Sequence, residues 1–406
     1  MFFSKKKIIF VKQDLLSLLQ FPYQSNAQTT FMLIDVRIVN SRKLLSVFIN
    51  LPARIHQGHK NWLPPIYHDE WLFFNPRRNK AFIYCETILA LAFSQGIAVG
   101  RIMGIIHHPY NELKGEKSAR FSHFDCKDNP EAASALLKFI ENWAKEKGMD
   151  QVTGPYGFSD KDPQGFLIEG YDDTPLIDTS CNLPYMVDYT VKNGYSKLVD
   201  CLTYRFDIDF VMPDIYQRVQ QRMMNTRRYT IHEFQHKKAL KPFIIPVLRL
   251  VNETYRNLYG FFPMDETEME DLASRYMPVL DPRFVKIITL DGDLVAFVVG
   301  LPNMSKGIMR ARGKLFPFGW YFILQSMKKS AQLDLMLGAV KPEHQGLGLE
   351  ISMGLRLLES ARTAGIKTIE THLILESNQR MRAVIERINA PVVKRFRVFT
   401  KKIPGN

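Results

Sequence analysis

The residues best placed to do chemistry lie in Val340-Lys341-Pro342-Glu343-His344-Gln345-Gly346-Leu347-Gly348-Leu349, between an apolar β-prone run and an amphipathic helical pattern. A glycine-containing turn from strand to helix lets the backbone approach a ligand closely. The N–H groups of the helix's first turn then point outward at the positive end of its dipole. That arrangement binds a pyrophosphate. The segment lacks the Lys-Ser/Thr pair of a P-loop and the glycine spacing of a dinucleotide fingerprint, and nothing in it asks for a metal. Downstream, Glu376 offers a carboxylate that can deprotonate an amine, and His372 lies four positions earlier on the same face of an expected strand. Asp334 is a further carboxylate candidate. Side chains of this kind are more often satisfied core or rim groups than bases.

The elements that must position this turn recur along the chain. In the first half, Ile88–Phe93 and Ile97–Ile106 flank Ser94-Gln95-Gly96 and read as a hairpin. Asn129-Pro130-Glu131 then opens a helix, with Ala133, Leu136, Leu137, Ile140 and Ala144 on one face and Gly148 at its end. The second half repeats the order. Phe284–Leu290 and Leu294–Val299 flank Asp291-Gly292, and Leu333–Val340 is a strand. A helix from Leu349 carries Ile351, Leu355, Leu358 and Ala361 on one face, and Ile366–Leu375 is the next strand. Duplication of one α/β unit explains the order; chance likeness of two α/β segments is the alternative. The expected organisation is an N-terminal extension (1–31), a first module (32–210), a linker (211–228) and a second module with the glycine loop (229–406). Between the halves, Gly154–Tyr195 is rich in aromatic residues and reads as a functional loop or as an irregular cover.

The glycine loop resembles the acyl-CoA-binding signature of the GCN5-related N-acetyltransferase (GNAT) superfamily, R/Q-x-x-G-x-G/A. Gln345, Gly348 and Glu350 occupy its three fixed positions, Glu350 departing from the small residue usual there. The strand Ile366–Leu375 followed by Asn378 and a helix is similar to the family's strand-Asn-helix on the pantetheine side. Seven residues on, where many members carry a tyrosine acid, this chain has Ile385. The resemblance implies an α/β (α+β mixed-sheet) fold of two tandem GNAT-like modules, the first degenerate, with Cys126–Asn129 where its glycine loop would stand. It implies acetyl-CoA or a longer acyl-CoA as acyl donor. The backbone of Gly346, Leu347, Gly348 and Leu349, with Gln345, would hold the pyrophosphate. Strand amides between Leu337 and Val340 would polarise the thioester carbonyl, and Asn378 would contact pantetheine.

Composition bounds the partners. The chain has 406 residues, 46% hydrophobic and 23% charged, which excludes a disordered chain and favours two domains. Its 54 Lys+Arg against 41 Asp+Glu give a net charge of +13, which suits an anionic partner. Arg380, Arg382, Arg387, Lys394, Arg395, Arg397, Lys401 and Lys402 face only Glu386 near the C-terminus, and read as a solvated face or as phosphate contacts. No basic-aromatic module, helix-turn-helix or zinc knuckle accompanies the charge, so nucleic acid is not an expected partner. The four cysteines form no C-x-x-C pair, which fits a reduced, cytoplasmic protein. Lys12-Gln13-Asp14 interrupts the apolar stretch near the N-terminus, so no signal peptide is expected.

Leu315–Leu324 carries no charge, is rich in aromatic residues and has basic flanks. It reads either as a buried connection between strands or as a segment that sits among lipid headgroups or lines an acyl-chain cleft. The whole chain is similar to bacterial two-module acetyltransferase-like proteins, through Asn61-Trp62-Leu63-Pro64-Pro65, Val99-Gly100-Arg101-Ile102, Gly154-Pro155 and Gly165–Tyr171. Some of that group are ceramide synthases. The resemblance implies an acyl-CoA-dependent N-acyltransferase acting on a small-molecule or lipid amine, with peripheral contact at the inner face of the membrane. A non-catalytic GNAT-fold binding protein is the competing class, and Glu350 and Ile385 speak for it.

Overall fold

Two tight hairpins set the register of each half. At Asp291-Gly292 both turn residues have positive φ (53° and 98°), the mirror-image turn whose twist matches the flanking strands. Gln95-Gly96 (50° and 75°) does the same in the first half. The computed structural model describes residues 34–210, 214–225 and 229–404. The expected extension 1–31 lies outside the described residues, as do both ends of the expected linker.

Among the described residues, fourteen strands form one sheet. The first half supplies β1 (Ile34–Ile38), β2 (Cys85–Ser94), β3 (Ile97–His107), β4 (Ser118–Cys126), β5 (Gln151–Gly154), β6 (Phe166–Glu169) and β7 (Ser196–Asp207). The second half supplies β8 (Tyr229–Glu233), β9 (Val285–Leu290), β10 (Asp293–Pro302), β11 (Gln332–Val340), β12 (Thr368–Thr371), β13 (Ile374–Leu375) and β14 (Val392–Lys402). Each half runs antiparallel until one parallel pair, β4 with β5 and β11 with β12. A helix makes each crossover, as parallel neighbours require.

The first crossover helix, α1 (Pro130–Glu146), begins where the sequence predicts: Asn129 accepts a hydrogen bond from the Ala132 amide at 2.8 Å, and Pro130 fills the first helical position. Ala133, Leu136, Leu137, Ile140 and Ala144 are all buried on β2–β4. Helix α2 (Asp214–Asn225) follows β7, and α3 (Ile244–Tyr255) packs Val247, Leu250 and Val251 on β9–β11. Helices α4 (Ser305–Ala311) and α5 (Gly319–Lys328) join β10 to β11. The second crossover helix is α6 (Leu349–Thr363), and α7 (Gln379–Glu386) precedes β14.

The halves are joined by an exchange. The sheet order β5-β14-β7-β12 places the last strand of each half inside the other's sheet. β14 pairs with β5 and β6 of the first half, and β7 pairs with β12 and β13 of the second. Between them β14 and β7 pair antiparallel from Val392↔Tyr204 to Thr400↔Ser196. The segment 154–195 contributes β6 and buries Tyr156, Phe158, Phe166, Tyr189 and Tyr195.

Candidate active site

The site is an opening in the second half's parallel pair. β11 and β12 are in register only from Gln332↔Thr368 to Leu335↔Thr371. The His372 amide donates to the Leu335 carbonyl at 2.8 Å, and there the strands part. The expected continuous strand Ile366–Leu375 breaks at this point: its end, β13, pairs with β7 instead. On its other edge β11 carries a bulge. Val299 faces Leu337 and Gly300 faces Leu335, leaving Met336 as the extra residue. Beyond the bulge, Leu337–Val340 has β10 on one side and, among the described residues, no strand on the other.

A cavity of about 790 Å³ runs along this opening, lined from α6 on one face of the sheet and by Tyr255, Leu258 and Phe297 on the face where α3 packs. Val340, Gln345, Gly346, Glu350 and Asn378 line it at the loop end. Phe206, Phe210, Leu358 and Ile369 line its apolar end. Gly346 and Gly348 both have left-handed φ (78° and 88°), so the turn needs its glycines. The Gln345 side chain donates to the Val340 carbonyl at 3.1 Å and accepts from Arg380, which ties the loop to α7. Asn378 caps α7 by accepting from the Met381 amide at 3.2 Å. Leu347 is exposed and Leu349 is buried under the helix start. Four of the eight residues expected at the cofactor therefore line the cavity directly. Leu337, Leu347, Gly348 and Leu349 shape its walls or the loop from outside the lining.

A cofactor with phosphates and amides fits this lining. The loop presents backbone N–H groups at the start of α6, and Arg380 and Arg387 stand at the cavity. Most of the C-terminal cations are otherwise engaged: Lys394 on Glu370, Arg397 on Asp200, Lys401 on Glu141 and Arg382 on Glu386. Glu350 brings a negative charge to the lining, and its Oε2 is buried without a protein partner. A pantetheine amide or ribose hydroxyl is the kind of donor that oxygen lacks.

The two expected bases have different surroundings. Glu376 is absent from the cavity lining. It accepts from Lys197 Nζ at 2.7 Å and from the Asp200 amide at 3.0 Å. Burial alone would raise its pKa, but the lysine and the amide outweigh that and hold it below the usual carboxylate value. His372 sits where the strands part and is absent from the cavity lining. Its Nε2 is 3.1 Å from the Ile177 carbonyl, an acceptor only, so Nε2 carries the proton and Nδ1 keeps its lone pair. Burial lowers the imidazole's pKa, keeping it neutral near pH 7. Asp334, on the same face, accepts from Asn303 and Gln332 at 2.8 Å each, and burial pushes its pKa up to about 7.

One residue at the site was not anticipated from the sequence. Tyr255, the last residue of α3, lines the cavity and places its hydroxyl on the open edge of β11. It donates to the Gly338 carbonyl at 3.0 Å, and the Gly338 amide lies 3.5 Å from the same oxygen. Burial raises the phenol's pKa to about 12, so it is fully protonated at neutral pH. Ile385 is a buried apolar wall of the cavity. In the first half the counterpart of the opening is closed. Phe121, Phe124 and Phe166 are buried in mutual contact there, and Cys126–Asn129 holds no glycine.

No family model matches the chain. A bacterial ceramide synthase of Caulobacter vibrioides (strain NA1000 / CB15N) is 28% identical over 372 residues, covering 88% of this chain and 95% of that protein. Protein YghO of Escherichia coli (strain K12) is 28% identical over 388 residues, covering 91% and 95%. A tandem GNAT protein from the clavulanic acid biosynthesis pathway superposes with a TM-score of 0.53 at 14% identity, over 92% of this chain and 100% of that one. The chain is thus similar over most of its length to a bacterial ceramide synthase, and it shares the fold of a tandem GNAT protein. A GCN5-related N-acetyltransferase from Sphaerobacter thermophilus gives a TM-score of 0.50 at 11% identity, over 92% and 97% of the two chains. Both structural likenesses span nearly the whole chain, so the tandem GNAT-like fold covers both halves and their exchanged strands.

Proposed function

We propose that the chain moves an acyl group from an acyl-CoA to an amine, and that the amine is a lipid. The observation that carries this reading is the bulged, parted β11–β12 pair opening onto a cavity that ends at the glycine loop. The donor is acetyl-CoA or a longer acyl-CoA. The near full-length similarity to a protein named a ceramide synthase supports the lipid amine. The second half, 229–406, holds the donor. The first, 32–210, contributes β7 and is not a donor site, and 211–228 links the two.

An acyl-CoA bound in the cavity supplies an acyl carbon activated as a thioester. Gly346 and the first-turn amides of α6 hold its phosphates, with Arg380 and Arg387 beside them. The Gly338 amide, on the open edge of β11, offers a hydrogen bond to the donor's backbone-like pantetheine or to its carbonyl. His372 Nδ1 takes the proton that the amine nitrogen gives up as it bonds to the acyl carbon. Tyr255 keeps its proton until the C–S bond breaks, then gives it from the phenol oxygen to the sulfur. It thereby fills the role that Ile385 cannot.

The competing reading, a non-catalytic binding protein, draws on the unpartnered Glu350 carboxylate and on Ile385. Calorimetry with acetyl-, palmitoyl- and desulfo-CoA separates the two: binding of at least one is expected, and failure of all three removes the enzyme. Mass spectrometry of lipids from a deletion strain tests the acceptor. An unaltered sphingolipid profile would eliminate the lipid amine while leaving acyl transfer to another amine intact.

A further inference from the structure

The segment read from the sequence as either buried or interfacial is both, on opposite sides. From Asn303 to Ala331 the chain carries six cations and no Asp or Glu. α4 and α5 pack closely within it: a side chain at Gly307 would meet the Phe322 carbonyl at 2.6 Å. Inward, Ile308, Leu315, Ile323 and Met327 join Leu301 and Met304 in one apolar cluster. Outward, Phe316 is 80% exposed, Phe318 64%, Trp320 and Tyr321 49% each, and Leu324 46%. Five large apolar side chains exposed within nine residues form a patch, not the scattered apolar residues usual on a surface. The six cations, from Lys306 to Lys329, are all exposed around it.

We infer that the α4–α5 corner docks the protein on an anionic lipid bilayer, with Phe316, Phe318 and Trp320 at headgroup depth. The rings of Trp320 and Tyr321, each with one polar end, favour that depth, the phenylalanines add apolar surface to insert, and cations beside them meet acidic headgroups. Among the described residues no helix is long and apolar enough to cross a membrane, so contact here is peripheral. The patch also stands on the useful side of the sheet. Met336, the bulged residue of β11, packs in the cluster beneath it, as does Ile177, whose carbonyl holds His372. A lipid amine leaving the bilayer at this corner reaches the strand opening from the side on which Met336 and Ile177 pack. Docking rests on the lipid-amine reading for its purpose alone.

The test is co-sedimentation of the full chain with phosphatidylcholine vesicles, with and without phosphatidylglycerol. Binding about tenfold or more stronger to the anionic vesicles, weakened by salt, is expected. The triple substitution Phe316→Ser, Phe318→Ser, Trp320→Ser should lose at least about tenfold in vesicle affinity. Lys328→Glu with Lys329→Glu should remove the preference for anionic lipid. All these side chains are exposed, so an unchanged thermal midpoint is the control for folding. Absence of binding to anionic vesicles, or equal binding by the triple variant, overturns the assignment. So does a concentration-dependent dimer that the triple variant abolishes without any vesicle binding, because the patch would then join two copies. Calorimetry with palmitoyl-CoA on the same samples keeps the questions apart. Acyl-CoA binding without vesicle binding removes the docking surface alone, and the reverse removes the donor reading alone.

Discussion

Tyr255 and Gly338 are 83 residues apart, and their contact exists only because α3 lies across β11. The glycine loop was legible in the sequence because its geometry is local: a strand end, two glycines and a helix start within ten residues. The phenol was not, since no spacing rule links a helix C-terminus to the edge of a strand formed after a long intervening chain. The same holds for Glu376, whose partner Lys197 belongs to β7 in the other half. Removing the phenol as Tyr255→Phe should lower kcat by about 10²–10⁴-fold, the usual worth of a positioned acid. Affinity for desulfo-CoA should stay within about threefold, because the ring remains in the wall. Equal loss of both would make Tyr255 a binding residue only. The pH profile follows from two shifts. His372 is depressed below its ordinary value of 6.5 and acts as the free base, so the acid limb should fall below that pH. Tyr255 acts protonated and titrates at about 12, so no alkaline limb from it should appear before pH 10. His372→Gln should remove the acid limb; a limb that stays would assign it elsewhere. Glu376→Gln breaks a partly exposed ion pair and should cost about 1 kcal/mol or less in stability with little change in turnover.

At the scale of elements, periodicity and turn chemistry identified both hairpins and both crossover helices. It did not distinguish packing from lining. Of the α6 face expected to be core, Ala361 packs on the sheet and Leu358 both packs there and lines the cavity, whereas Ile351 and Leu355 face the cavity. An apolar stripe looks the same in sequence whether side chains or a ligand cover it. The strand ending at Leu375 was likewise one run of β-prone residues, and its break at His372, where pairing with β11 ends and only β7 remains, is not encoded in composition. The loop's tightest constraint also comes from another element. A Cβ on Gly348 would stand 2.1 Å from Val219 Cγ1 of α2, besides requiring a left-handed backbone. Gly348→Ala should therefore cost about 1–2 kcal/mol for the backbone and about 1–3 kcal/mol for the clash. Adding Val219→Ala should recover the second part only. Urea unfolding of the three variants measures this, and a double variant no more stable than Gly348→Ala would show that α2 yields freely.

For the whole molecule, the repeat of element order announced two α/β units, but the exchange of β7 and β14 left no trace in it. Strand pairing is decided by edges that become available only when both halves are present. The exchange carries a buried charge cluster with it. Glu370 of β12 is fully buried; it accepts from Lys394 of β14, and from Arg205 of β7 at 2.9 and 3.0 Å. Lys394 is itself 1% exposed, so each charge relies on the others for solvation. These three strands come from both halves, and the cluster sits where the exchanged strands meet. Glu370→Ala should cost about 3–5 kcal/mol, because it leaves Lys394 buried without a counter-charge. Pairing Glu370→Leu with Lys394→Met should cost clearly less, since the desolvated charges go together and apolar packing replaces them. Arg205 still has Asp173 at 2.7 Å in that double variant. If the cluster joins the halves into one cooperative body, urea unfolding of the full chain should show one transition in the wild type. In Glu370→Ala that transition should move to lower urea or split in two. A wild type that already unfolds in two steps would mean that the exchanged strands do not couple the modules.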